Sequence, residues 1–288
     1  MGIETVAECF RTPSDAPAIH AFGRPPLSHS QLAGQVWSIV ERLRSAGVSR
    51  TDRVAVVLPN GPEMAIAFLG VACAAVCAPL NPGYRRSEFT FYFEDLRPRL
   101  LIVQKGLDSP ARAVSTELGI PILELTPGLL SEGCAPAGLP QPGDIALVLH
   151  TSGTTSRPKI VPLSHANLSA SARNIGRTLA LTPQDRCLNV MPLFHIHGLI
   201  AALLSSLAAG GSVVCTPGFL APDFFPWLDA FSPTWYTAVV YSPAPPSTAT
   251  SSSAAPCALS ARVPPPFLPA SCPSWSPSST PRSSKPTA

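Results

Sequence analysis

Residues 241–288 contain no aspartate, no glutamate and no glycine, and only three basic residues, Arg262, Arg282 and Lys285. All 17 acidic residues lie before them, matched there by 17 of the 20 Lys and Arg. The net charge of +3 therefore belongs to the C-terminal stretch, and no basic footprint for nucleic acid is left on the remainder. The first ten residues have no apolar core and carry Glu4 and Glu8, which argues against a secretory signal. The eight cysteines show no metal-like clustering. Cys73 and Cys77, four apart in an apolar run, read as core packing, and a reducing, cytoplasmic setting is the expectation. The uncharged run from Met64 to Leu80 is 17 residues long, near the lower limit for a membrane span. Pro79 and Asn81-Pro82-Gly83 break it, so it reads as a buried helix followed by a buried strand, and no membrane span is expected.

What is present up to Val239 is a regular alternation. Leu32, Val36, Val40 and Leu43 share one helical face, with Ser28 or Ser30 as N-cap. Val54–Leu58 reads as a strand. Pro62 opens a helix running to about Ala75, and Cys77–Leu80 is the next strand. The spacing predicts helices over 87–96 and 111–118 and strands over 100–103 and 120–125. After a Pro/Gly-rich loop over 126–143 come strands at 145–149, 186–191, 212–215 and from 234. Helices are expected at 166–179, 198–209 and 221–231. Continuous apolar strands alternating with helices imply an α/β fold of layered, mainly parallel sheets flanked by helices. Pro and Ser then supply 25 of the last 48 residues. Twelve prolines there exclude a long helix or a central strand, and disorder is expected. The chain thus divides into a domain over 1–239 and a Pro/Ser/Ala-rich tail over 240–288.

The most informative run is LVLHTSGTTSRPKIVPL, residues 147–163. The hydroxyl- and glycine-rich Thr151-Ser152-Gly153-Thr154-Thr155 follows an apolar strand and is followed by Lys159. Hydroxyls, backbone amides and one cation are what an ATP polyphosphate needs. A Walker A loop does not fit, because Gly153 is followed by Thr-Thr-Ser-Arg-Pro-Lys-Ile with no Gly-Lys-Ser/Thr. Pro192-Leu193-Phe194-His195-Ile196-His197-Gly198 forms a second motif. A His pair two apart without nearby Asp, Glu or Cys is a poor metal site. The run from Gly70 to Pro82, GVACAAVCAPLNP, is a third.

In order and spacing these three stretches resemble the phosphate-binding signature, the Pro-x-Phe-His motif and the upstream helix–strand motif of the adenylate-forming superfamily. Within it the chain is similar to plant oxalate–CoA ligases, whose pattern includes Ser156, and next to 4-coumarate–CoA ligases. The resemblance implies an acid–thiol ligase that joins a small carboxylic acid to CoA at the expense of ATP. Thr151, Ser152, Gly153, Thr154, Thr155 and Lys159 would cradle the β- and γ-phosphates, and Mg²⁺ would bridge phosphate oxygens. His195 would gate and orient the acyl side, with CoA entering past it. Oxalate is the expected acid.

The chain departs from the pattern at two places. Ile160 stands where the family usually has glycine. If that position required positive φ, a β-branched side chain would cost about 1–2 kcal/mol. Beyond Val239 the chain has no counterpart of the aromatic-Gly-Met-Thr-Glu segment, of the Asp that holds the ribose, or of the small domain with the catalytic Lys. The tail reads either as a frameshifted copy of that region or as a genuine disordered Pro/Ser tail that binds partners. Pro281–Ala288 plus a stop can be back-translated so that a shifted frame encodes Glu-Val-Leu-Glu-Ala-Tyr-Gly-Met. The expectation is a truncated and inactive ligase, its full-length relatives cytoplasmic or peroxisomal. The alternatives are a binding or regulatory fragment that pairs with a full-length homologue, or the product of a faulty gene model.

Overall fold

The computed structural model describes residues 3–12, 14–128, 133–134, 137–150, 158–239 and 258–263. Two six-stranded sheets face each other across a layer of helices. The first contains β3 (Arg53–Val57), β4 (Val76–Pro79), β5 (Leu100–Gln104), β6 (Ile122–Leu125), β7 (Ile145–His150) and β8 (Ile160–Ser164), in the order β6-β5-β3-β4-β7-β8. All neighbours are parallel except β7 and β8. The second contains β1 (Pro17–His20), β2 (Leu27–Ser28), β9 (Arg186–Asn189), β10 (Ser212–Cys215), β11 (Trp235–Val239) and β12 (Ala258–Arg262), in the order β12-β11-β9-β10-β1-β2. Its four inner strands are parallel and its two edge strands antiparallel.

The expected mainly parallel, layered α/β architecture is therefore what the chain forms. The apolar run beginning at Met64 divides as its prolines dictate, into α2 (Pro62–Ala74) and β4. Every residue of α2 from Met64 onward is buried, which is why this helix is apolar all round rather than on one face. No helix among the described residues is long and apolar enough to cross a membrane. α1 (His29–Ser45) packs against α2, and Gly70 makes their close approach possible. A Cβ there would lie 2.7 Å from the Ile39 Cβ. Ser28 caps α1 by accepting from the Gln31 amide at 3.2 Å, while the Gln31 side chain accepts from the Ser28 amide at 3.0 Å. Cys73 and Cys77 are buried free thiols.

The main core lies between the sheets, around α1, α2 and α5 (His165–Thr178). The outer face of the first sheet is covered by α3 (Arg86–Leu96) and α4 (Pro110–Glu117), and that of the second by α7 (Ala221–Phe231).

Three features differ from the sequence reading. The helix expected over 198–209 is a π-helical stretch, His197–Leu204, followed by the short α6, Ser205–Ala208. Strand β8 contains Pro162, which is tolerated because β8 is an edge strand where a missing N–H need not pair. Within the tail expected to be disordered, β12 pairs antiparallel with β11 along five residue pairs and covers that sheet edge.

Candidate functional site

The C-terminal ends of β4, β7, β9 and β11 open into one cleft of about 510 Å³, with β8 along one wall. Ligands of open α/β folds collect at such strand ends. β4 delivers Leu80 and Asn81, the β7–β8 hairpin delivers His150 and Val161, and the turn after β9 delivers Phe194, His195 and His197. All three sequence motifs thus meet at one place.

His150 pairs with Ile160 across the β7–β8 ladder. His150 and Ile160, which bracket the hydroxyl-rich stretch in sequence, thus sit at the spacing of adjacent strands, about 5 Å. Thr151, Ser152, Gly153, Thr154 and Thr155 lie outside the described residues. Lys159 is described and is exposed immediately before β8. Ile160 does not carry the strain considered for it. It sits in extended strand conformation, and the non-glycine residues with positive φ among those described are Arg97, Ala180 and Ser232. A β-branched residue suits a strand, and Ile160 packs against the apolar cluster on the outer face of the sheet.

The His150 Nε2 lies 3.0 Å from the Asp95 Oδ2, and its ring meets Tyr92 edge-on at 4.6 Å. Tyr92 in turn stacks on Tyr84 at 4.9 Å, with the two hydroxyls 3.4 Å apart. This aromatic wall buries the Tyr84 hydroxyl and pushes its pKa up. Sequence reasoning did not single out Asp95, Tyr92 or Tyr84. They belong to or precede an amphipathic helix whose apolar pattern says nothing about the cleft.

On the opposite wall, His195 is exposed, with its ring against Phe194 at 4.5 Å, and its amide donates to the Pro192 carbonyl at 3.3 Å. Partial desolvation lowers its pKa, so the imidazole is neutral at pH 7. His197 is also lowered by burial, and its Nε2 lies 2.6 Å from the buried Thr237 Oγ1 of β11. Two neutral imidazoles therefore line the cleft, each carrying one N–H.

The turn carrying them is held from several directions. Asn189 accepts from the Met191 amide at 3.1 Å and donates to the Gly198 carbonyl at 3.2 Å. Asn60, at the far end of β3, accepts from the Leu193 amide at 2.7 Å. No local sequence signal marks a contact between positions 133 residues apart. Among the described residues there is no group of three or more His, Cys, Asp or Glu placed to hold a metal ion.

A family model described as AMP-binding enzyme matches residues 6–243. The chain is 40% identical over 256 residues to an oxalate–CoA ligase of Arabidopsis thaliana, covering 82% of this chain and 49% of that protein. It is 37% identical over 227 residues to an oxalate–CoA ligase of Saccharomyces cerevisiae, covering 67% and 42%. Among solved structures, ATP-bound MatB from Rhodopseudomonas palustris superposes with a TM-score of 0.70 at 26% identity, covering 80% of this chain and 48% of that one. The chain spans about half the length of the curated relatives it matches.

Proposed function

The chain belongs to the AMP-binding enzyme family, and on that footing we propose that it carries the carboxylate-activating part of an acid–thiol ligase, with oxalate as the acid. In the proposed reaction a carboxylate oxygen attacks the α-phosphorus of ATP and pyrophosphate leaves. The CoA sulfur then attacks the acyl carbon, its proton passes to solvent, and AMP leaves with the electrons of the broken C–O bond. The observation that carries this reading is the convergence of the three motifs on one cleft. The oxalate–CoA ligases among the relatives support the choice of acid.

The roles follow from the chemistry each step needs. Hydroxyls and amides of Thr151, Ser152, Thr154 and Thr155 donate to the β- and γ-phosphates, and Gly153 lets backbone approach them. Lys159 adds a point charge to a leaving group that gathers negative charge. Charge neutralisation at the phosphate oxygens would be supplied by Mg²⁺ bound with the nucleotide. His195 and His197, kept neutral by their surroundings, donate to an acid rather than pair with it as cations. Oxalate is small, and a cleft of about 510 Å³ leaves room for the nucleotide and pantetheine ends beside it.

Domain organisation is part of the proposal. Residues 1–239 form a partial adenylation domain, and 240–288 a stretch read out of frame, of which β12 joins the second sheet. The coding DNA after the Val239 codon decides the second point, since a shifted frame must there encode an adenine-contacting segment. Pyrophosphate release by the 288-residue chain with oxalate, 4-coumarate or a medium-chain fatty acid is expected to be near background, because the stretch after β11 supplies no acid and no glycine. Brisk turnover with any of the three would overturn that expectation. Nucleotide binding is a separate question. Lys159→Ala is expected to weaken MgATP binding about tenfold or more, the worth of one hydrogen bond to a charged group. Equal affinities by calorimetry would remove Lys159 from the site.

A further inference from the structure

We propose that Asn60 is a positioning residue for the candidate site, clasping the His195 turn of one sheet to the β3 end of the other. The proposal takes its functional meaning from the reading of the cleft given above.

The Asn60 carboxamide touches three separate segments. Its Oδ1 accepts from the Leu193 amide at 2.7 Å. Its Nδ2 donates to the Thr216 carbonyl at 2.9 Å and to the Met191 carbonyl at 3.4 Å. One N–H and two C=O partners fix which end of the amide is which, because the reverse orientation would set N–H against N–H and oxygen against oxygen. No other side chain with one acceptor end and one donor end is as compact, so the arrangement specifies asparagine.

The anchor itself is rigid. β3 ends just before Asn60. Gly61 follows at φ +147°, a conformation that L side chains rarely adopt, and Pro62 begins α2. The partners are equally constrained. Thr216 donates through Oγ1 to the Asn189 carbonyl at 2.9 Å and accepts from the Gly218 amide at 3.3 Å. Asn189 braces the same turn from within. Asn60 is thus the member of this network that belongs to the sheet bearing the β7–β8 hairpin. It relates the acyl-side histidine, on one sheet, to the phosphate-side residues, on the other. A positioning error of the order of 1 Å between the two is enough to slow an in-line transfer.

The test uses the 288-residue chain, its Asn60→Ala and Asn60→Leu variants, and histidine NMR, with the His195 signal assigned by His195→Gln. Leucine keeps the branched shape of asparagine and adds no charge, so it covers the case in which alanine leaves an unstable cavity. In the unmutated chain the Leu193 amide is expected to exchange with solvent at least about a hundredfold more slowly than an unstructured amide. His195 is expected to titrate below an ordinary histidine. In both variants its midpoint should move up toward about 6.5, and oxalate affinity in the presence of MgATP should fall about tenfold, the worth of one lost hydrogen bond network. An unprotected Leu193 amide, or an unmoved His195 midpoint in a folded variant, overturns the assignment. If the unmutated chain binds neither oxalate nor MgATP, the reading of the cleft falls instead, and the Leu193 and His195 measurements still decide the clasp.

Discussion

Lowering the pH from 6.5 to 5 is expected to destabilise the domain steeply, with two buried histidines responsible for most of the slope. His165 is 1% exposed. Its Nδ1 accepts from the Val6 amide at 3.2 Å, which only a neutral ring can do, and its other nitrogen meets the Ala72 carbonyl. Burial lowers its pKa to about 4, partly countered by Asp144. His20 is 8% exposed, and its Nε2 has no hydrogen-bond partner. Burial, with help from Arg186, lowers it also to about 4. In the unfolded chain both would titrate near 6.5. Between those values the unfolded state binds protons that the folded state does not, so stability is full above pH 6.5 and is lost as pH falls toward 4. Each histidine contributes about 1.4 kcal/mol per pH unit in that window. Restricting the measurement to pH 6.5–5 keeps most carboxylates ionised. Urea unfolding midpoints should drop steadily across the window, and His165→Asn, whose Oδ1 can still accept from Val6, should remove a large share of the slope, the rest belonging to His20 and to the lowered His29, His195 and His197. A flat midpoint from pH 6.5 to 5 would contradict the assignment.

The same residues show why parts of the fold were legible beforehand and others were not. α2 and β4 were readable because burial on every side leaves a run without charge, and proline and glycine mark its ends. The seven-element alternation from β3 to β6 was readable because short apolar strands alternate with segments of helical period. β8 was not, because Pro162 reads as a strand breaker unless its edge position is known. β1 and β2 were missed because four and two residues carry too little periodicity. A family pattern raised the question of strain at Ile160, should its φ be positive, whereas its pairing with His150 makes it an ordinary strand residue. At the site, the motif residues His195 and Lys159 could be named in advance because their types are tied to the chemistry. Asn60, Asp95 and Thr237 could not. Their partners are 133, 55 and 40 residues away: Asn60 meets its partner across the two sheets, while Asp95 and Thr237 meet theirs within the layers of one sheet, and only the tertiary fold brings each pair together.

Replacing Gly198 with alanine is expected to destabilise the domain by about 3 kcal/mol or more and to displace the turn that carries His195. The sign runs against helix propensity, by which glycine to alanine in a helix gains about 1 kcal/mol. Gly198 lies in the first turn of the π-helical stretch His197–Leu204. A Cβ there would meet the Pro192 carbonyl oxygen at 2.4 Å and the Met191 carbonyl oxygen at 3.1 Å. Both are backbone atoms, so the contact cannot be relieved by a side-chain rotation. Moving Pro192 strains the Asn60 bond to Leu193, and moving Gly198 strains the Asn189 bond to its carbonyl. Whichever yields, a buried polar partner is left short of its hydrogen bond, which adds about 1–3 kcal/mol. The clash and the lost bond together exceed the propensity gain severalfold. Chemical denaturation measures the first consequence, and the His195 NMR titration measures the second. A Gly198→Ala chain as stable as the parent, with His195 titrating unchanged, would mean that the turn has room it does not show.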